Sequence, residues 1–311
     1  MVRKSFGLSG MGYENTYNLH LADGQCWQFV ATEGIDSWVE RLASLMELKR
    51  AKANGHPKLI YMPKELNSES HGDPISRLTP EIRRFLPPSG WTPRDLVWLR
   101  IWSHRDTTHI ICEIGHEDGK EQDVLKMRMS LQPVYKKAQD LGGLPLHAAL
   151  IEREGSGILL VASSGKGKST SCRRIPKPWR SLCDEEALIL RDDSKGYLAH
   201  PFPTWSEYIM KRSNRTWNTQ HHLPLSAIFF LEKAESENAL AIGKGLTAVL
   251  VHRSAMEICH RNLVTLSFEE RRIVIKKLFD NACELARKIP AFKLRLSLNG
   301  RFWEEMEKVL P

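Results

Sequence analysis

Residues 158–170 read ILLVASSGKGKST, an apolar run that predicts a strand and leads directly into a loop rich in glycine and lysine. Between a strand and a helix, such a loop points several backbone N–H groups and the positive end of the helix dipole at one spot, where they bind phosphate oxygens. In this motif Lys168 reaches the β- and γ-phosphates of a nucleotide, and the Ser169 hydroxyl can coordinate Mg²⁺. The residues predicted to hold ATP are Ser164, Gly165, Lys166, Gly167, Lys168, Ser169 and Thr170.

One position departs from the usual motif, because Ala162 stands where the first glycine is expected. That position makes a tight turn, which alanine tolerates as long as its φ angle stays negative. The alternative reading of the whole run is a surface turn rich in lysine and serine. The strand that precedes the loop favours the phosphate site.

The residues after the loop suggest what chemistry accompanies the phosphate site. Pro176 and Pro178 end the helix that follows the loop, and residues 179–190 then read as a strand. This strand carries Asp184 and Glu185, about fourteen residues beyond Thr170. We expect Asp184 to act as a general base toward a hydroxyl and Glu185 to bind Mg²⁺ with Ser169, with Glu186 as a substitute ligand. A solvated strand end is the alternative for such an acidic run.

The N-terminal part predicts a small α+β module. Residues 17–30 alternate apolar and polar side chains around Asp23-Gly24, which predicts a hairpin because such turns need positive φ. Helical spacing of apolar residues predicts a helix near 35–50, and a short strand is expected at 59–62. The polar, proline-containing stretch 63–93 is the predicted linker.

Beyond the linker, strand signals become dense. Residues 96–102 and 107–114 predict an antiparallel pair, and a helix is expected at 134–141. The fold class is therefore α/β to α+β with mixed sheets. We expect residues 1–92 to form the N-terminal module with its linker, with peptide docking as a hypothetical role, and residues 93–311 to form an ATP-binding catalytic domain.

Composition narrows the partners and the compartment. The net charge is +8 over 311 residues, but the basic residues are dispersed, so nucleic acid is not the expected partner. No apolar run is long enough to cross a membrane, the N-terminus lacks the apolar run of a secretory signal, and no pair among the six cysteines has C-x-x-C spacing. These features indicate a cytoplasmic protein with reduced cysteines. These features do not decide whether the protein forms a homo-oligomer.

Four blocks of sequence in this order carry a resemblance: residues 144–150, 162–170, 182–186 and 199–206. Together they resemble the HPr serine kinase-like branch of the phosphoenolpyruvate-carboxykinase-type fold, and within it the family of SynChlorMet cassette protein ScmC. The resemblance extends over about residues 95–311.

The resemblance implies an ATP- and Mg²⁺-dependent kinase that phosphorylates a serine hydroxyl. Family members look like enzymes that modify a small precursor peptide beside radical-SAM partners. The resemblance places a catalytic histidine at His147 and the base at Asp184, and together with Lys168 these are the predicted catalytic residues. The related kinases commonly have two aspartates where this chain has Asp184-Glu185, which leaves the metal geometry open.

Several further residues have both a functional and a structural reading. His147 lies on a predicted apolar strand at 146–151, where a histidine satisfied within the core is the default. His200 and Trp205 are expected to shape the acceptor pocket, or else to belong to a proline-rich turn. Arg212 and Arg215, together with Lys211, could grip the acceptor or a phosphate, since guanidinium groups pair bidentately with such anions. A solvated basic surface is the alternative for this cluster.

Three other functions stay open. One is a bifunctional kinase and phosphorylase that acts on a phosphocarrier protein, which the N-terminal region does not support. A kinase that acts on a small molecule such as free serine would use the same chemistry in a closed pocket. A regulatory module that binds ATP without turning it over is favoured by Ala162 and by the missing second aspartate.

Overall fold

The computed structural model describes residues 16–52, 56–64, 73–96, 98–115, 120–209 and 215–310. Within them the chain forms a mixed α/β fold with two mixed sheets. The α/β to α+β class expected from the sequence is confirmed at this level.

The first sheet has the strand order β3-β1-β2-β4-β7-β6-β5. Its strands are β1 (Thr16–His20), β2 (Cys26–Ala31), β3 (Lys49–Arg50), β4 (Lys58–Pro63), β5 (Thr92–Leu96), β6 (Leu99–Ser103) and β7 (Ile110–Ile114). The predicted hairpin is confirmed by the antiparallel pairing of β1 with β2, and its turn places Gly24 at φ +82°. The antiparallel pairing of β6 with β7 is confirmed as well.

The second sheet has the order β11-β9-β10-β14-β13-β12-β8, and β16 joins it through β14 and β15. Its strands are β8 (Leu144–Leu146), β9 (Ala148–Arg153), β10 (Ser156–Val161), β11 (Arg180–Cys183), β12 (Ala187–Asp192), β13 (Gly196–Pro201), β14 (Leu223–Lys233), β15 (Asn238–Ala241) and β16 (Ala291–Leu296). β14 runs parallel to both β10 and β16. The carboxyl ends of these three strands therefore lie at one edge of the sheet.

The helices are α1 (Asp36–Leu45), α2 (Pro80–Arg83), α3 (Lys120–Ser130), α4 (Gln132–Asp140), α5 (Lys168–Arg174), α6 (Trp205–Ile209), α7 (Lys244–Leu263), α8 (Phe268–Lys288) and α9 (Phe302–Glu307). A 3₁₀ turn spans Pro74–Arg77. A capping box formed by Ser267 and Glu270 starts α8. None of the helices in the described ranges is long and apolar enough to cross a membrane.

Two predicted strands are interrupted. The apolar run that includes 146–151 breaks at His147, between β8 and β9, and the run 179–190 breaks at residues 184–186, between β11 and β12. The acidic residues were therefore wrongly assigned to a strand interior. The apolar pattern of the sequence continues through both breaks, so the pattern alone does not predict them. The residues at the breaks contact distant parts of the chain, and these contacts interrupt the strands.

The first sheet also runs across the expected boundary between residues 92 and 93. β5, β6 and β7 follow that boundary in sequence, yet β7 pairs in parallel with β4. Part of the stretch 63–93, residues 65–72, lies outside the described residues. One continuous cluster of buried side chains includes Phe29 of the first sheet and Leu150 of the second. The two sheets thus share a hydrophobic core, and the division of function between the two segments stays a prediction.

Candidate functional site

The glycine-rich loop joins the end of β10 to the start of α5. Gly165 and Gly167 adopt φ angles of +74° and +112°, which side-chain-bearing residues rarely adopt. Ala162 is not among the described non-glycine residues with positive φ, which are Glu47 and Glu154. Ala162 therefore fits the first position of the motif, which an alanine can occupy when its φ angle is negative. α5 begins at Lys168, so its first N–H groups face the loop.

A cavity of about 590 Å³ opens beside this loop. It lies at the edge where β10, β14 and β16 end, which is where ligands bind in open α/β sheets. The predicted site residues that line it are His147, Ser164, Gly165, Gly167, Lys168, Ser169, Thr170, Asp184 and Glu185. Residues from three separated blocks of sequence thus meet in one cavity. Lys166 instead lines a neighbouring cavity of about 300 Å³, on the side of the loop that faces α7.

Lys168 and His147 contact each other directly. The Lys168 ammonium is buried, and its Nζ lies 2.8 Å from Nε2 of His147 and also donates to the Ala162 carbonyl. An ammonium can only donate, so Nε2 of a neutral His147 accepts this hydrogen bond. Burial first, then the positive charges of Lys168 and Arg128, lower the pKa of His147 to about 4. His147 is therefore neutral near pH 7 and holds the lysine in place.

The charge balance around Lys168 is set by burial and carboxylates. Desolvation lowers the pKa of Lys168, while the carboxylates of Glu257, Glu185 and Asp184 act in the opposite direction. Glu257, on α7, places Oε2 3.8 Å from Nε2 of His147. Lys168 is therefore a buried cation that shares its cavity with the two carboxylates from the break between β11 and β12, while Glu257 of α7 lines the neighbouring cavity.

The break between β11 and β12 sets the directions of its acidic side chains. Asp184 is buried, and its Oδ1 accepts a hydrogen bond of 2.6 Å from the Thr204 hydroxyl. Glu185 accepts a hydrogen bond of 2.8 Å at Oε2 from the backbone N–H of Ser206. Both carboxylates line the cavity of the glycine-rich loop. Residues just before and within α6 thus hold the predicted base and the predicted metal ligand.

Glu186 does not share this orientation, and the sequence-based suggestion that it could bind the metal is wrong. Its side chain is completely buried and accepts hydrogen bonds from Tyr135 of α4 and, at 3.0 Å, from Nε of Arg128 of α3. Desolvation raises the pKa of Glu186, although the Arg128 charge opposes the shift. Glu186 therefore anchors the break to α3 and α4, while its neighbours Asp184 and Glu185 line the cavity.

The oxygens of this cavity fit Mg²⁺ better than a metal that binds a full set of protein ligands. In the described part of the chain, no group of three or more His, Cys, Asp and Glu side chains is arranged to hold a metal ion. Mg²⁺ typically uses one or two carboxylates and completes its octahedron with water and substrate phosphates. Asp184, Glu185 and Ser169 supply hard oxygens of that kind beside the glycine-rich loop.

The residues predicted to contact an acceptor have other surroundings. Trp205 is buried in the core and is not among the described residues that line the cavity. His200 is completely buried, accepts from the N–H of Ala22 at Nε2 and contacts the Thr219 carbonyl at Nδ1. Both residues are structural, so their assignment to an acceptor pocket is corrected. Arg215 is exposed and bonds the backbone of β11, while Lys211 and Arg212 lie outside the described residues.

Sequence reasoning missed three polar residues of this region. Thr204 and Ser206 belong to the block 199–206 that carries the resemblance, and their position at the start of a short helix was the available signal. Glu257 had no such signal, because it lies within a long amphipathic helix far along the chain.

Fold and site together define a mixed α/β protein with a glycine-rich loop, a buried lysine and two carboxylates around one cavity. The family model described as SynChlorMet cassette protein ScmC matches residues 110–311. The chain belongs to this family. No curated protein matches the chain.

Proposed function

We propose that the protein is an ATP- and Mg²⁺-dependent serine kinase that acts on a precursor peptide or protein, built on an HPr kinase-like fold of the phosphoenolpyruvate-carboxykinase type. The observation that carries the proposal is the shared cavity of Lys168, Ser169, Asp184 and Glu185 at the start of α5. A loop with positive-φ glycines before a helix suits phosphate, and the facing carboxylates suit a metal ion and a proton acceptor.

In the proposed reaction, the acceptor serine Oγ forms a bond to the γ-phosphorus while the bond from that phosphorus to the β–γ bridging oxygen breaks. ADP leaves with the electron pair of that oxygen, and the hydroxyl proton passes to the Asp184 carboxylate. The Thr204 hydroxyl orients this carboxylate at Oδ1. Lys168 neutralises charge on the transferred group, and Mg²⁺, held by Ser169 and Glu185, would supply further charge neutralisation.

His147 is a positioning residue in this proposal. Its neutral imidazole accepts the hydrogen bond from Lys168 that fixes the ammonium beside the loop. A pKa of about 4 keeps His147 uncharged throughout the neutral range, so it adds no second positive charge next to the lysine.

The first test replaces the proposed base by an isosteric amide. Asp184→Asn keeps the hydrogen bond to Thr204 within reach but cannot accept a proton, so the rate of phosphoryl transfer should fall by about 10²–10⁴. We expect the affinity for MgATP, measured by calorimetry, to change little. The rate is read by mass spectrometry on peptide pools and on free serine with labelled ATP.

The matched control is Asp193→Asn, in an exposed turn where the Asp193 side chain is 95% accessible. It should transfer phosphate at the normal rate. Normal transfer by Asp184→Asn would remove Asp184 as the base. Transfer to free serine alone would instead identify a small-molecule kinase. Tight MgATP binding without transfer to any acceptor would identify a regulatory nucleotide-binding module.

A further inference from the structure

The carboxylates and the last strand of the second sheet lie at opposite ends of one edge. The strands β11, β9, β10, β14 and β16 are neighbours in this order, because Ile228 of β14 pairs with Leu159 of β10 on one side and with Ala291 of β16 on the other. β11, β10, β14 and β16 run in the same direction, so their carboxyl ends share this edge. Four strand spacings of about 4.8 Å separate the end of β11 from that of β16 by roughly 19 Å.

The cavity of the glycine-rich loop extends along this edge. It is lined by Asp184 beyond β11, by Lys168 at the start of α5 and by Leu298 beyond β16. In an in-line transfer, the leaving oxygen lies opposite the attacking oxygen across the phosphorus. An acceptor beside Asp184 therefore requires that ADP extends away from that carboxylate, toward β14 and β16. The nucleoside of the donor then lies at the end of the cavity that these two strands form.

That end of the cavity has an apolar wall. Ala234 follows β14, Leu296 ends β16 and Leu298 lies two residues further, and all three line the cavity. Leu296 lies beside the loop, since a Cβ placed on Gly167 would be 3.9 Å from Cδ1 of Leu296. Leu298 is 74% exposed, so most of its side-chain surface is available for contact. Single exposed leucines are common on protein surfaces, but this one lines the same cavity as Lys168.

Hydrogen bonds hold the turn that carries Leu298. The N–H of Ser297 donates to Oε1 of Glu237 at 3.0 Å, and the N–H of Gly300 donates to Oγ of Ser297 at 2.9 Å. The Arg174 guanidinium donates to the carbonyl of Ser297 at 3.0 Å and to that of Gly300. Because Arg174 belongs to α5, which follows the loop, these bonds tie the turn to the loop. A ligand that contacts both therefore loses little affinity to the ordering of the protein.

The described polar side chains at this end do not distinguish one purine from another. The Arg174 guanidinium is bound to the two carbonyls, and the Ser297 hydroxyl donates to Glu237 and accepts from Gly300. Lys233 also lines the cavity, and its ammonium can donate to N7, an acceptor that adenine and guanine share. Among the described residues of this end, apolar contact is therefore the main source of affinity for a base.

We infer that the base of the donor nucleotide packs against Leu296 and Leu298 and is held by apolar contact, so that the protein accepts ATP and GTP alike. This inference rests on the proposed kinase function and identifies the class of phosphoryl donor as purine nucleoside triphosphates. The phosphates bind at the glycine-rich loop as proposed. The two leucines add affinity that does not depend on the groups at the edge of the base.

The first test measures by calorimetry how the full chain binds the magnesium complexes of ATP, GTP and an abasic ribose triphosphate, which has the same charge but no base. We expect the dissociation constants of ATP and GTP to agree within about fivefold, since apolar contact does not read the base edge. Both should bind at least about fivefold more tightly than the abasic compound. A larger preference for either nucleotide would overturn the inference, and so would a smaller gain over the abasic compound.

Two substitutions at Leu298 change the proposed contact in opposite directions. Leu298→Ser should weaken ATP and GTP binding by about fivefold and leave binding of the abasic compound unchanged. Leu298→Trp should tighten binding of both nucleotides, because an aromatic ring stacks on a base. The control Leu141→Ser changes an exposed leucine at the end of α4 and should bind all three compounds as the wild type does. Wild-type nucleotide affinity in Leu298→Ser would show that the base does not pack on this residue.

The two proposals can fail separately, because binding is measured without an acceptor. Equal and base-dependent binding of ATP and GTP without transfer to any acceptor would support the base site and refute the kinase. Transfer from ATP alone, with GTP neither bound nor used, would support the kinase and refute the base site.

Discussion

Gly165 shows how one residue can set the geometry of the phosphate loop. Its φ angle of +74° belongs to the left-handed region, and a Cβ placed there would meet no atom within 4 Å. The constraint at this position is therefore the backbone angle alone. Gly196, the first residue of β13, has φ +81° and the same open surroundings. It offers a matched comparison outside the cavity.

Gly165→Ala and Gly196→Ala should each lower the free energy of unfolding by about 1 kcal/mol, because alanine is strained in the left-handed region. Only Gly165→Ala should also weaken MgATP binding, by about tenfold, since relaxing the strain turns loop amides away from the phosphates. Chemical denaturation and calorimetry on both variants measure these effects. Equal MgATP affinity in the two variants would contradict a phosphate-binding role for this loop.

At the level of elements, the sequence predicted those features that depend on neighbours along the chain. The β1–β2 hairpin, the strand before the glycine-rich loop and the end of α5 before the prolines are all local. The break between β11 and β12 is different. Glu186 turns inward to Tyr135 and Arg128, which lie 51 and 58 residues away in sequence, and no local pattern indicates such partners.

The long distance in sequence between contacting residues also explains why only part of the site was predicted. Lys168 and the loop glycines are read from one motif, and Asp184 and Glu185 follow soon after it. Their orientation toward the cavity depends on Thr204 and on the backbone of Ser206. A single sequence shows the residue types but not which side chains the break turns outward.

Replacing Arg128 tests how much the buried hydrogen bonds from Arg128 and Tyr135 to Glu186 contribute to stability. Arg128→Met leaves the Glu186 carboxylate buried beside Tyr135 without its cation, which should cost about 3–5 kcal/mol of unfolding free energy. The double variant Arg128→Met with Glu186→Gln should recover part of that loss, because the uncompensated charge is gone. Urea denaturation measures both.

The control for this prediction is Lys276→Met, which removes an exposed ion pair with Asp280 on α8. It should change stability by less than about 1 kcal/mol. If Arg128→Met were as mild as this control, the buried pair would not hold the break between β11 and β12.

At the scale of the whole molecule, a short segment after α6 ties the two sheets together. The N–H of Trp217 donates to the carbonyl of Leu45 at the end of α1, and Thr219 Oγ1 donates to the carbonyl of Met46. His200 completes the link, since its two ring nitrogens contact Ala22 in the first hairpin turn and Thr219. The contacts with Ala22, Leu45 and Met46 join residues more than 150 positions apart, so the arrangement of the two sheets could not be predicted from local patterns.

His200 makes this junction sensitive to acid. The Thr219 carbonyl can only accept, so Nδ1 carries the proton and Nε2 must stay unprotonated to accept from the N–H of Ala22. Burial is the main cause that lowers the pKa of His200 to about 4, below the ordinary 6.5. The unfolded chain therefore takes up this proton first. The stability that His200 contributes is complete above about pH 6.5 and is lost as the pH falls toward 4.

His200→Gln should therefore lower the unfolding free energy at pH 7.5 by about 1–3 kcal/mol, through the loss of buried hydrogen bonds. The same variant should lose less stability than the wild type between pH 7.5 and 4.5, because one proton-uptake step of the unfolded chain is removed. His147 titrates in the same direction in both proteins and leaves a residual slope. An unchanged slope in His200→Gln would mean that His200 is not the acid-sensitive link between the sheets.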